Sequence, residues 1–196
     1  MENFETDKKF KNVGELMDFV LVECGDFKLN YDYGHLKISN TDLNVGGVEL
    51  VLTDIGNFNE KYVIYLSELL KKQFNTKLSY ITFSNFSEEM DFDLQNLDIY
   101  GIEFHHTDIS NLILPPNLTL LVMSHCEIRE LRLPDKIKHI FINDDDYLES
   151  FFNLPDSVEV LKVKNCEKFK MIDKLPKNIK SIHIDSSEEF GIDDEE

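Results

Sequence analysis

The sequence contains no Trp and no Ala, only three Cys and five Pro, and 20 Lys and Arg against 38 Asp and Glu. Each shortage excludes something. Cys24, Cys126 and Cys166 are odd in number and show no CxxC spacing, so neither a disulfide framework nor a zinc ribbon is written here. Reduced, packed thiols are the simplest account, and they point to the cytosol. The longest apolar run, FVLVEC, is far short of the ~20 residues a membrane helix needs. The opening stretch MENFETDKKFKN is polar and mixed in charge, unlike a secretory signal. The scarcity of basic residues leaves a net charge of −18. Such a field repels nucleic acid and anionic membranes and favours basic protein partners, although solubility alone would also account for it. The missing Trp and Ala, beside abundant Asn, Ile, Lys, Phe and Asp, read as an AT-rich coding bias.

What is present is enough for a core. A chain of 196 residues, 42% of them apolar, suits a single folded domain, or one with a small cap, that needs no disulfides. Leu-Pro occurs at Leu114-Pro115, Leu133-Pro134, Leu154-Pro155 and Leu175-Pro176, at spacings of 19, 21 and 21 residues. After each come two variable residues, an apolar one, two variable, an apolar, one variable and an apolar. The apolar members are Leu118/Leu121/Met123, Ile137/Ile140/Ile142, Val158/Leu161/Val163 and Ile179/Ile182/Ile184. Three residues further on stand Cys126, Asp145, Cys166 and Ser187, followed by Ile128 and Leu131, Leu148 and Phe151, and Phe169 and Ile172.

The alternation at the centre of each unit predicts a short strand with one buried face. Pro cannot donate to a sheet ladder, so it belongs just ahead of the strand, where it sits. A single coil of this kind cannot bury its apolar face alone, whereas stacked coils share one continuous core.

The string LPxxφxxφxφxx(C/D/S) resembles a leucine-rich repeat. It is most similar to the short Leu-Pro class of secreted bacterial effectors, and also to the FNIP-type repeat. Those families carry Asn, or Cys in some classes, where this chain has Cys126, Asp145, Cys166 and Ser187. The resemblance covers about residues 112 to 190. It implies an α/β repeat fold, a solenoid with a parallel sheet on its concave face, and a recognition surface on that sheet. Effectors of the Leu-Pro class often carry a separate ubiquitin-ligase domain, and no room for one is expected after the last repeat.

Weaker copies without Leu-Pro lie upstream, at Leu94/Leu97/Ile99, Leu78/Ile81/Phe83 and Tyr33/Leu36/Ile38. VGGVELVL, around Val48, Leu50 and Leu52, reads as another strand, giving six to eight coils. Two segments follow a helical period. Asn12 to Cys24 sets Val13, Leu16, Met17, Val20 and Cys24 on one face, with Asn12 and Glu15 as a capping pair and Gly25 as a stop, although FVLV could also be a strand. Asn59 to Phe74 aligns Val63, Leu66, Leu70 and Phe74, with Lys71 and Lys72 suiting its carboxyl end, and is expected on the outer side of its coil. The organisation expected is a helical cap over 1–30, a solenoid over 31–190 with an inserted helix at 59–74, and an acidic tail at 191–196.

No Walker loop, GxGxxG, HExxH or GxSxG occurs. His105 and His106 are adjacent, so in a strand they point to opposite faces and share no metal. His125-Cys126 suggests a thiol–imidazole pair, but Cys126 falls at an inward turn position where a buried inert thiol is expected. Asp144-Asp145-Asp146 lacks the glycine and distal Glu of a calcium loop. A non-catalytic protein without metal or cofactor is the expectation.

Function would then rest on the residues between the buried ones. Aligning coils gives one outward row of Tyr80, Asn96, Leu120, His139, Val160 and Ser181. A second runs Thr82, Asp98, Val122, Phe141, Lys162 and His183. Leu120, Val122, Phe141 and Val160 would make an apolar patch, a mark of interaction sites when rimmed by polar residues. Something within the chain could instead cover it. The residues expected to bind are Tyr80, Asp98, Tyr100, Leu120, Val122, His139, Phe141, Val160, Lys162 and His183. The reading is a cytoplasmic module that binds, and inhibits or neutralises, another protein, basic by charge complementarity, in the manner of an immunity, antitoxin or phage inhibitor protein. Alternatives are an effector-like or adaptor protein recognising a host protein, an enzyme using His125 and Cys126, and an oligomerising structural subunit.

Overall fold

Period-two spacing puts Leu121 and Met123 on one face of a strand, and the same offsets in later coils set Ile140 and Ile142, then Leu161 and Val163, directly alongside. The computed structural model, which describes residues 9–12, 14–16, 28–30, 33–37, 44–53, 60–128, 130–185 and 191–192, shows this stacking throughout. Its elements are β1 (Lys28–Asn30), β2 (Tyr33–Lys37), β3 (Asn44–Thr53), α1 (Glu60–Phe74), β4 (Leu78–Asp93), β5 (Gly101–Ile113) and β6 (Leu120–Glu127). They continue with β7 (His139–Asn143), β8 (Ser150–Phe151), β9 (Val160–Lys164), β10 (Met171–Ile172), β11 (Ser181–Asp185) and β12 (Gly191–Ile192).

The large sheet runs β1-β3-β4-β5-β6-β7-β9-β11, with β2 also paired to β3. From β3 onward every neighbour is parallel. A second, small parallel sheet, β8-β10-β12, forms on the return limbs. The protein is a parallel-strand β-solenoid of about five turns with few helices.

Three expectations change. The return limbs at β8, β10 and β12 are short strands rather than helices. The coil read at Tyr33/Leu36/Ile38 is instead a hairpin strand, since β2 runs antiparallel to β3. The helix expected at Asn59–Phe74 exists as α1, but it is itself the crossover between parallel β3 and β4. Its Val63, Leu66, Leu69 and Leu70 enter the main core rather than lying outside a coil. Such a parallel crossover needs about a dozen residues, which the helix supplies.

Each Leu-Pro is a turn onto its strand. The amides of Leu118, Ile137, Val158 and Ile179 donate to the carbonyls of Pro115, Pro134, Pro155 and Pro176 at 3.0–3.2 Å. Proline thus serves as an acceptor at a place where no donor is asked of it. The first, longer coils add a cluster of aromatic rings to their buried aliphatics. Phe83 stacks on Phe104 with centroids 5.0 Å apart, and Phe92 meets both edge-on at 5.0 and 5.2 Å.

At the amino end, Asn12 Oδ1 accepts from the Glu15 amide at 2.9 Å, and Glu15 returns a carboxylate to the Lys11 amide at 2.8 Å. This reciprocal cap opens a helical turn at residues 14–16, and the rest of the helix expected as far as Cys24 lies outside the described residues. Leu16 is fully buried, and the Phe10 amide donates to Gln73 of α1, so this turn is tied to the first coil. Val13, Met17, Val20, Cys24, Ser187 and residues 193–196 lie outside the described residues.

Candidate protein-binding face

Strand pairing fixes which side chains share a row on the outer face of the large sheet. The first row is Tyr80, Gly101, Leu120, His139, Val160 and Ser181. The second is Thr82, Glu103, Val122, Phe141, Lys162 and His183. Asn96 and Asp98 are therefore not in these rows. They precede β5 in an exposed turn, and Gly101 and Glu103 take their places. Tyr100 sits one residue before β5, half-buried. Its carbonyl accepts from Thr119 and Leu120 at 2.9 and 3.1 Å, and its side chain packs beside Leu120.

Gly101 explains why the row differs. A Cβ at Gly101 would overlap Cδ2 and Cε2 of Tyr80, whose ring lies across the glycine. The ring so placed brings the Tyr80 hydroxyl to Glu103, donating to Oε2 at 3.0 Å. Glu103 is buried, and its Oε1 accepts from His105 Nε2 at 2.6 Å. Burial, then the Glu103 charge, drive the Tyr80 phenol far above its ordinary pKa, so it stays a donor. Thr82 makes a parallel link, its hydroxyl donating to Glu49 at 3.0 Å.

The expected apolar patch is present but not open. Tyr80, Leu120, Val122 and Phe141 form a second buried cluster, each at most 6% exposed, with Tyr100 and Val160 packed at its border. His139 lies in the same row. Its Nδ1 is buried with no hydrogen-bond partner among the described residues, and desolvation lowers its pKa below the usual histidine value, keeping it neutral. Exposure begins at β9. Val160 and Lys162 are half-buried, and Lys164, Ser181 and His183 are exposed. Lys162 Nζ stands 5.3 Å from the centroid of the Phe141 ring, a cation–π contact that bridges the buried and open halves.

A family-model scan, a search of curated proteins and a search of solved structures found no match to this chain. The face has to be read from its own chemistry. Of the ten residues expected to bind, His139, Val160, Lys162 and His183 keep some exposure together, on the adjacent strands β7, β9 and β11.

The residues weighed for catalysis are held apart. Cys126 is buried, its Sγ donates to the carbonyls of Phe104 and Ser124 at 3.5 Å, and burial pushes its thiol up to about 12. The His125 ring is turned outward, with Nδ1 3.1 Å from Ser124 Oγ and its plane against His106 at 4.4 Å. Asp145 alone of the three aspartates points inward, its Oδ1 accepting from the Tyr147 and Leu148 amides at 2.9 and 3.0 Å. No cluster of three metal-ligating side chains occurs among the described residues.

A further column escaped the sequence reading. Asn85, His106, His125, Asp144 and Asn165 all have positive φ, between 47° and 59°, at a bend inside β4, β5 and β6 and directly after β7 and β9. Asn, Asp and His tolerate that left-handed backbone better than other side chains. They also form a ladder: Asn165 Nδ2 donates to Asp144 Oδ1 at 2.9 Å, and His106 stacks on His125. The signal was legible, because the residue just before Thr107, Cys126, Asp145 and Cys166 is in each case one of these types, although Ser186 before Ser187 is not.

Proposed function

We propose that this protein is a non-catalytic binding module, a solenoid of leucine-rich-repeat-like design, that inhibits or neutralises a partner protein by covering it. The observation that carries this reading is the continuous outer face of the large sheet. Its first half is packed into a rigid second core around Leu120 and Phe141, and its second half leaves Val160, Lys162 and His183 accessible in one register. A preorganised face of this kind spends little entropy on binding. The leucine-rich-repeat design itself is supported by the Leu-Pro turns and the strand they launch. The net charge of −18 favours a basic partner.

The test is an affinity capture from cell lysate at low and high salt, with wild type beside a Val160→Trp/Lys162→Gln/His183→Trp variant, which blocks the face by bulk with little change of charge. All three sites lie at the surface or half-exposed, so circular dichroism should match wild type. Capture of one basic partner, weakened by salt and lost in the variant, is expected. Equal capture by the variant rules out this face, and salt-insensitive capture points to an adaptor-like apolar contact in place of electrostatic blocking.

A further inference from the structure

Strand pairing beyond the bend is interrupted in one coil. Up to Asp108, β5 has partners on both sides, β4 and β6. From Ile109 to Ile113 it pairs with β4 alone, and among the described residues no strand lies on its other side. Of the chain that passes there, residues 128 and 130 to 133 form no strand, and ladder pairing resumes at β8 in the next coil. Chain length accounts for part of this. The unit from Leu114 to Leu133 has 19 residues and the next two have 21, with one fewer on either side of Ile128 and Leu131. That limb still packs Ile128 and Leu131 onto the core, but it cannot keep register with the longer limbs that follow.

An open cleft of about 1350 Å³ is the result. One wall runs from Asp108 to Leu114 along the unpaired edge of β5, and the other from Glu127 to Lys136. Unpaired strand edges usually carry devices against pairing, such as a lysine or proline on the strand. Ile109–Ile113, read ISNLI, has neither; its one irregularity is a register shift between Ile109 and Asn111, and Ile113 is 40% exposed. The cleft is acidic. Five carboxylates, Asp108, Glu127 and Glu130 among them, stand against two cations, and one of these, Lys136, is already held by Asn117 Oδ1 at 2.7 Å.

We infer that the free edge of β5 takes up an extended, basic segment of a partner polypeptide as an added strand. Backbone hydrogen bonds to Ile109–Ile113 supply the pairing. Apolar side chains of the guest lie beside Ile109 and Leu112, both turned to the core because the register shifts between Ile109 and Asn111, and its lysines or arginines meet the carboxylate rim. This surface is separate from Val160, Lys162 and His183, which lie on β9 and β11 of the large sheet, and it stands whether or not that face binds.

The experiment uses the full chain and a fluorescein-labelled Lys-Val-Lys-Val-Lys-Val-Lys peptide, followed by anisotropy at low salt, with amide hydrogen exchange on the complex. Saturable binding and slowed exchange at residues 109–113 are expected. The same peptide N-methylated at each Val keeps its charge but loses backbone donors, and it should bind about tenfold or more weaker. Glu127→Lys/Glu130→Lys, at two exposed positions, should weaken the parent peptide by about tenfold while leaving circular dichroism unchanged. The Val160→Trp/Lys162→Gln/His183→Trp variant, nearly unchanged in charge, should bind the peptide as wild type does. No saturable binding, equal binding of the N-methylated peptide, protection at Ser181–Asp185 instead, or loss in the outer-face variant would each overturn the inference.

Discussion

Asp145 fills the inward turn position that Thr107, Cys126 and Cys166 occupy in neighbouring coils, and of the four it alone brings a carboxyl group. Thr107 and Cys166 return their donors to the carbonyls of His105 and Lys164, at 2.9 and 3.2 Å. Asp145 instead accepts two amides through Oδ1, while Oδ2 is buried with no partner among the described residues. Burial raises its pKa from 3.8 to about 6, against the lowering by the amides it accepts. The sign follows from linkage. The folded state holds this proton more tightly than the unfolded chain, so the contribution is fully present below about pH 4 and is lost as pH rises through about 6. Its full size is of the order of 2–3 kcal/mol. Asp145→Asn keeps the acceptor and removes the charge, so its melting temperature should exceed wild type at neutral pH and converge with it near pH 4. Thermal melts across that range decide the matter. A gain that does not vary with pH would mean that the buried charge is not the cause.

At the scale of the strand, burial grades from the middle of the solenoid to its end. Ile81, Ile102, Leu121, Ile140, Leu161 and Ile182 form one inward row. Leu121 is fully buried, whereas Ile182 on β11, the last strand of its sheet, is only partly so. Leu121→Ala should therefore cost about 2–5 kcal/mol, as fully buried truncations do, and Ile182→Ala clearly less. Urea unfolding of both variants measures the difference, and equal losses would show that the last coil is as tightly packed as the central one. The same row shows what was legible in the sequence. The four Leu-Pro coils could be read because proline and period-two spacing agree on where each strand begins. The coil of β5 could not, because Leu94/Leu97/Ile99 and Ile99/Ile102/Phe104 both satisfy the apolar spacing, five residues apart. Only the fit of the Tyr80 ring over Gly101 selects the second frame. Burial of the outer cluster was equally hidden: Leu120, Val122 and Phe141 make both faces of β6 and β7 apolar, and alternation cannot tell which side is covered.

Over the whole molecule, charge opposes the packing that the strands achieve. A net charge of −18 on 196 residues repels itself in the compact state more than in the extended chain. Relief is local and lies toward the last coils, where Lys138 and Lys180 flank Glu159 at 3.1 and 2.5 Å and Lys177 meets Asp156 at 2.6 Å. Those lysines hold the Glu159 carboxyl down to about 2, yet the pairs are solvent-facing, and such pairs contribute little. Repulsion should then dominate the response to salt. Raising the sodium chloride concentration from about 10 mM to about 200 mM shortens the screening length from ~30 Å to under ~10 Å, so the melting temperature should rise over that interval and level off beyond it. A series of calorimetric melts at fixed pH provides the check. A midpoint that falls with added salt would mean that the cross-coil pairs around Glu159 outweigh the repulsion, and would make the acidic surface a less credible source of long-range attraction for a basic partner.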